Sequence, residues 1–423
     1  MIEQDHGIKV ENIYDTLNER GFIEQVTDKD LVKELLQHPT TCYIGFDPTA
    51  GSFHVGSLLP IMSLMHMQRG GHRPLALIGG GTAMVGDPSG KTEMRPIMTR
   101  EKIDENVVAL KKQLSRFIDF SDGKALLINN ADWLTGLRYI DFLRDIGRHF
   151  SVNRMLSAES YRARMETGLN FIEFNYMLLQ SYDFWYLFKH YGCRLQMGGN
   201  DQWGNILAGE DLTRRLERET VHGMTFPLLT TSSGIKMGKT HKGAVWLDPE
   251  LTSPYEYYQF WINQDDSDVE RFLLLFTFLP LDEVKRLGAY KDAAIREAKE
   301  ALAYEATKLC HGRKEADLAR DASRQLFGNM EGNASELTTS AQSAITYHIS
   351  KEEIGDGIPA YILFEKTGLC KTRGEARRLI SQGGGYLNGE KIQAFDQMIN
   401  KQNFNDDSLL IRAGKKRYMK ITC

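Results

Sequence analysis

The chain has 423 residues, enough for about three domains at roughly 150 residues each, and 42% of them are hydrophobic against 26% charged. That balance excludes a disordered chain, and the longest apolar stretch, near 272–281, is too short to cross a bilayer. The net charge of −4 conceals a division, because residues 358–423 hold 12 Lys/Arg against 6 Asp/Glu, leaving −10 on the rest.

The first residues, Met1-Ile2-Glu3-Gln4-Asp5, lack the basic and apolar regions of a signal peptide, so a cytoplasmic location is expected. Five cysteines (Cys42, Cys193, Cys310, Cys370 and Cys423) are odd in number and form no Cys-x-x-Cys pair. Neither a disulfide framework nor a thiolate zinc site is indicated. Asn333-Ala334-Ser335 matches a glycosylation sequon, to which no role is given without a secretory route.

In chain order, 41–46 reads as a strand, 55–69 as a helix, 74–78 as a strand and 101–117 as a helix. A strand at 126–128, helices at 139–148 and 171–188, a strand at 194–197 and a helix after Trp203 continue the alternation. This pattern predicts an α/β fold with a mostly parallel sheet covered by helices. From 254 to 326 the period is helical without a convincing strand, and a polar, Gly-containing run near 331–350 reads as a linker. The last segment mixes a basic helix, 373–381, with strands around the turn Tyr386-Leu387-Asn388-Gly389.

Ligands of open parallel sheets bind beyond the strand C-termini, where helix N-termini offer free N–H groups. Tyr43-Ile44-Gly45-Phe46-Asp47-Pro48-Thr49 runs from the first such strand into His54-Val55-Gly56-Ser57, which opens a helix. His54 and Thr49 suit phosphate oxygens and Gly56 leaves room for a flat base, although His54 and Ser57 also suit simple capping. The glycine-rich run 79–92 fits neither a P-loop, since Val85 stands where Gly is needed, nor a dinucleotide fingerprint, since Met84 does. It leaves one carboxylate, Asp87, and two cations, Lys91 and Arg95.

The helix 171–188 is apolar nearly all round, yet Tyr176, Gln180 and Asp183 share one face at i, i+4 and i+7. A central polar patch flanked by Ile172 and Leu187 points to a pocket rather than to a wet face. Gly198-Gly199-Asn200-Asp201-Gln202-Trp203 is another strand-to-helix turn, in which Asp201 suits a ribose hydroxyl and Gln202 a polar substrate group. Gly234-Ile235-Lys236-Met237-Gly238-Lys239-Thr240 offers two lysines and a hydroxyl for closing on a polyphosphate. Neither His-Glu-x-x-His nor Gly-x-Ser-x-Gly occurs, so a zincin or serine hydrolase is not indicated.

In combination, His54-Val55-Gly56-Ser57 and Lys236-Met237-Gly238-Lys239-Thr240 resemble the two signature motifs of class I aminoacyl-tRNA synthetases. Together with the runs around Tyr43, Asp87, Tyr176 and Asp201, the chain resembles the bacterial-type tyrosyl-tRNA synthetase family over nearly its whole length. The resemblance implies a Rossmann-like catalytic domain with an inserted helical region (1–235), the lysine loop with an α-helical domain (236–330), a linker (331–350), and a small α+β RNA-binding domain (351–423). That last domain is similar to the fourth small-subunit ribosomal protein. The resemblance also implies activation of L-tyrosine by ATP, with Mg²⁺ accompanying ATP and no dedicated protein metal site, then transfer to tRNA(Tyr), in a homodimer with the 139–150 helix as the expected interface.

Carried over residue by residue, Tyr43 and Asp183 are expected at the phenol hydroxyl. Asp87, Tyr176 and Gln180 are expected at the amino group, and Gln202 near the carboxylate. Gly45, Asp47, Gly56, Ser57, Gly199 and Asp201 are expected around the nucleoside. Thr49, His54, Lys91, Arg95, Lys236, Lys239 and Thr240 are expected at the phosphates, and Lys371, Arg373, Arg377, Arg378 and Lys391 at RNA. Ser57 stands where the family has a second His, and Gly238 and Thr240 replace two serines. Two other readings stay open: a class I synthetase for tryptophan, and an RNA-binding factor on a degenerate synthetase scaffold.

Overall fold

The computed structural model describes residues 12–89, 98–232, 234, 237–240, 243–328, 346–355, 357–370, 372–404, 408–414 and 417–422. They fall into two compact units: the chain up to Thr252 with Phe260–Cys310, and Ser253–Gln259 with the chain from His311 onward. Most of the expected linker, and the sequon within it, lie outside the described residues.

The first unit is built on a six-stranded sheet. Its strands are β1 (Gln25–Val26), β2 (Thr41–Phe46), β3 (Arg73–Ile78), β4 (Leu126–Asn129), β5 (Cys193–Gly199) and β6 (His222–Phe226), in the spatial order β1-β6-β5-β2-β3-β4. All neighbours run parallel except the short edge strand β1, which is antiparallel to β6. Strands covered on both faces need continuous apolar runs, and Leu75–Ile78 supply one that is buried throughout. The chain passes from β2 to β3 and β4 on one side, then returns to β5 and β6 on the other. The order therefore reverses between β2 and β5, which is where such sheets open a crevice for ligands.

Three local expectations are corrected. The helix expected at 55–69 opens with a 3-10 turn, Val55–Ser57, before Leu58–Arg69. The one expected at 171–188 is two, Phe171–Phe174 and Tyr176–Tyr191, because the i−4 ladder gives way between them: the Leu178 amide bonds to Asn175 O, three residues back, and the Met177 amide to the Tyr161 hydroxyl. Strand β6 stands where no strand is expected, since Gly223 and Thr225 interrupt its apolar character. Gly223 is demanded by packing: a Cβ there would lie 2.1 Å from Ile206 of the covering helix Trp203–Glu217.

Residues 254–328 contain helices and no strand among the described residues, with the boundary between the units passing through them. In the second unit the helix Arg373–Ser381 turns Ala376 and Ile380 into a core with Leu363, Phe364, Leu409 and Ile411. Arg373, Arg377 and Arg378 are left exposed on its other side. Four described cysteines, Cys42, Cys193, Cys310 and Cys370, are buried free thiols. No helix of the described residues is long and apolar enough to cross a membrane.

Candidate active site

A cavity of about 380 Å³ opens at the C-terminal ends of β2 and β5. Thirteen of the expected site residues line it: Tyr43, Gly45, Asp47, Thr49, Gly56, Ser57, Asp87, Tyr176, Gln180, Asp183, Gly199, Asp201 and Gln202. His54 stands next to Gly56 in the turn behind this wall. Lys239–Thr240 form a two-residue strand paired with Gly243–Ala244. Lys91, Arg95, Lys236 and Lys371 lie outside the described residues.

The closed end is built from β2, β5 and the helix Tyr176–Tyr191. Tyr43 is 1% exposed, its ring lies 5.4 Å from that of Phe184, and its hydroxyl is buried without a hydrogen-bond partner. Burial, reinforced by the nearby Asp183 carboxylate, raises its pKa well above the phenol range, so the hydroxyl stays neutral and can both donate and accept. Asp183 accepts from Asn130 Nδ2 and from Trp133 Nε1, each at 2.8 Å. Burial nevertheless pushes its carboxyl up to about 7, outweighing those two donors.

Gln196 pairs in register with Tyr43 across β2 and β5, is 2% exposed, and its Oε1 is buried without a partner on the cavity wall. Sequence reasoning passed over it, although a lone amide inside the apolar run Leu195-Gln196-Met197 was a legible signal. Asn130 and Trp133 were missed as well, and no local pattern could have joined them to Asp183, some fifty positions away. An unpartnered buried polar group costs about 1–3 kcal/mol. A polar substituent entering this end would relieve the cost at both Tyr43 and Gln196.

Midway along the cavity the Tyr176 hydroxyl donates to Asp47 Oδ2 at 2.9 Å, while Asp47 Oδ1 accepts from Thr82 Oγ at 2.8 Å. Asp87 accepts from the Ser89 amide and from Gln202 Nε2, both at 2.9 Å. Burial first, and then the neighbouring Asp47, lift the Asp87 carboxyl to about 6. Asn205 Nδ2 donates to Gln180 Oε1 at 2.9 Å and to Gln202 Oε1 at 3.1 Å, fixing both amides. Two carboxyl groups, Asp47 and Asp87, thus stand near each other on this stretch of wall, a field suited to an ammonium group.

At the open end His54 caps the Val55–Ser57 turn, its Nδ1 accepting from the Gly56 amide at 2.9 Å. With Nδ1 as acceptor in this cap, the proton of a neutral ring sits on Nε2. A Cβ on Gly56 would lie 2.7 Å from the His54 ring and 3.2 Å from the carbonyl of Met237, so only glycine lets the lysine loop pass this closely. The loop is tied down by Val55 N–H to Val245 O at 2.9 Å, Leu247 N–H to Phe53 O at 2.8 Å and Val245 N–H to Gly238 O at 3.0 Å. The two distant motifs thereby share one scaffold. Asp201 is exposed in the 3-10 turn Asn200–Gln202 that follows β5.

In the second unit the Arg377 guanidinium stacks 4.1 Å over the ring of Tyr361 and 5.5 Å from that of Phe395, and Arg373 lies 3.5 Å from Glu365. Arg378 and Lys391 are exposed. Among the described residues no cluster of three or more His, Cys, Asp or Glu side chains could hold a metal ion.

Comparison with known proteins gives the family. Residues 35–328 match the family described as tRNA synthetases class I (W and Y), and residues 346–421 match the tyrosine–tRNA ligase SYY-like C-terminal domain. A tyrosine–tRNA ligase of Syntrophus aciditrophicus is 57% identical, covering 97% of this chain and 99% of its own. One from Desulfatibacillum aliphaticivorans is 56% identical over 97% and 98%. Among solved structures, a C-terminally truncated mitochondrial tyrosyl-tRNA synthetase of Aspergillus nidulans superposes with a TM-score of 0.68 at 34% identity, covering 75% of this chain and 94% of that one.

The raised carboxyls make a stability prediction. Both Asp87 and Asp183 are lifted above the ordinary 3.8, so the folded chain holds their protons more tightly than the unfolded chain does. Their contribution to stability is full below that ordinary value and is lost as pH rises through 6 to 7. The urea midpoint of Asp183→Asn should therefore fall less steeply between pH 5 and pH 8 than that of the unaltered protein. Equal slopes would contradict the raised value for Asp183.

Proposed function

The chain belongs to the class I tRNA synthetases of the W and Y family, and we infer that it works as a tyrosine–tRNA ligase. It activates L-tyrosine with ATP to tyrosyl-adenylate and pyrophosphate, then transfers tyrosine to tRNA(Tyr). The observation that carries tyrosine as the substrate is the closed end of the cavity, where a partnerless buried hydroxyl on Tyr43 and the Asp183 carboxylate face the same space. A phenol can donate to the one and accept from the other. Phenylalanine would leave the Tyr43 hydroxyl unanswered, at about 1–3 kcal/mol, and Asp183 with only its donors Asn130 and Trp133.

In activation a carboxylate oxygen of tyrosine bonds to the α-phosphorus of ATP as the bond to the bridging oxygen breaks and pyrophosphate leaves. In transfer a ribose hydroxyl at the tRNA 3′ end attacks the acyl carbon and AMP departs. The protein needs no nucleophile of its own, because positioning and charge stabilisation suffice. In our assignment Asp87, Tyr176 and Gln180 hold the ammonium group and Gln202 lies by the carboxylate. Asp201 and Gly199 hold the ribose, and Gly45, Gly56 and Ser57 flank the nucleotide. Asp47 acts chiefly by fixing the Tyr176 hydroxyl. Thr49, His54, Lys91, Arg95, Lys236, Lys239 and Thr240 meet the phosphates, and Mg²⁺ arrives with ATP. Lys371, Arg373, Arg377, Arg378 and Lys391 contact tRNA phosphates, which suits the +6 charge of residues 358–423.

The large apolar side chains of Tyr139 and Ile140, neighbours on the helix Tyr139–Asp145, are 58% and 71% exposed. We assign this helix to contact with a second copy of the chain, since monomers seldom leave such residues together in water. Sedimentation equilibrium should give a dimer that Ile140→Asp dissociates. A monomer for the unaltered chain would contradict the assignment.

Two variants separate the half-reactions. Lys239→Ala should lower the rate of ATP/pyrophosphate exchange by about a hundredfold or more with tyrosine affinity unchanged, as expected of a group acting in the transition state. Arg378→Glu should leave exchange intact and depress tRNA charging. The reverse pattern would contradict the division of labour.

A further inference from the structure

The side chain that sets Tyr176 in place lies outside every motif read from the sequence. The helix Glu159–Thr167 carries Tyr161, which is 1% exposed and packed among Met155, Met177 and Leu178. Its hydroxyl donates to the carbonyl of Phe174 at 2.9 Å and accepts from the amide of Met177 at 3.3 Å. Tyr176 sits between those two residues. At this point the regular helical ladder is interrupted: Leu178 N–H bonds to Asn175 O, three residues back, and Asn175 N–H is shared between Phe171 O and Ile172 O. A hydroxyl inserted from another helix takes up the backbone groups that the break leaves over, which is one of the recognised ways a helix is stably broken.

The same helix grips the segment a second time. Arg164 Nη2 donates to both carboxylate oxygens of Glu173, at 3.1 and 2.8 Å, with each side chain 2% exposed. Glu173 also accepts from the Asn170 amide at 3.3 Å, closing the capping box of Phe171–Phe174. The Arg164–Glu173 pair therefore anchors the short helix, and Tyr161 fixes the junction from which the pocket helix departs. The direction in which Tyr176 reaches Asp47 follows from that junction.

We propose that Tyr161 is a positioning residue for the amino-acid subsite, its hydroxyl clamping the helix break that aims Tyr176 into the cavity. The inference rests on the reading of Tyr176 as a residue at the tyrosine ammonium group. Tyr161→Phe keeps the ring packing and removes only the clamp. In ATP/pyrophosphate exchange it should raise KM for tyrosine by about three- to tenfold, the factor carried by one hydrogen bond of ordinary net strength. The rate at saturation and KM for ATP should stay within about twofold, the margin left by that same small energy.

A merely structural role would weaken every ligand of the pocket alike. The des-amino analogue 3-(4-hydroxyphenyl)propionate, used as a competitive inhibitor, should bind Tyr161→Phe as well as it binds the unaltered enzyme. Unchanged KM for tyrosine, or equal weakening of tyrosine and the analogue, overturns the proposal. Hydrogen exchange at the Met177 amide supplies a reading from the unaltered chain: slow exchange is expected, and exchange at the rate of an open amide overturns the clamp. Tyr176→Phe, measured alongside, separates the two layers. If it leaves KM for tyrosine unchanged, the subsite reading fails and the inference with it; if it raises KM while Tyr161→Phe does not, the clamp alone fails.

Discussion

A buried polar group without a partner is costly unless something arrives to pair with it, and the closed end of the cavity holds two such atoms, Tyr43 Oη and Gln196 Oε1. Much of the first unit serves to keep them there. Strands β2 and β5 place the two residues side by side, and Phe184 packs against the Tyr43 ring. Asn130 and Trp133, beyond the end of β4, occupy both oxygens of Asp183, so this carboxylate cannot swing across to satisfy Tyr43 in the absence of ligand. Recognition is thus prepared in the fold rather than assembled on binding.

The cavity wall also carries charge. Asp47, Asp87 and Asp183 line it together with Gly56 and Ser57 of the turn at Val55–Ser57, and the Met237 carbonyl of the lysine loop passes close to Gly56. The carboxyl groups suit the ammonium group of an amino acid, and the lysine loop suits a polyphosphate. The raised carboxyls are the cost of this lining, because burying like charges together favours their protonated forms.

What could be read in advance was whatever repeats at short range. The strand Thr41–Phe46 and the helix Arg373–Ser381 stand at their expected bounds, and the face shared by Tyr176, Gln180 and Asp183 does open onto a pocket. What escaped depends on partners far along the chain. Strand β6 exists because Gly223 lets the helix Trp203–Glu217 approach, and the break at Asn175 is held by a tyrosine hydroxyl from an earlier helix. Periodicity registers neither. Gln196 differs from these, since a polar side chain within an apolar strand is legible in the sequence itself.

ATP/pyrophosphate exchange with Mg²⁺, without tRNA, on a panel of tyrosine, phenylalanine and tryptophan tests the account most directly. Exchange with tyrosine alone is the result that two unpartnered polar atoms and a pinned carboxylate at the closed end require. Exchange with phenylalanine at a comparable rate would mean that those groups do not meet the substrate, and would contradict it.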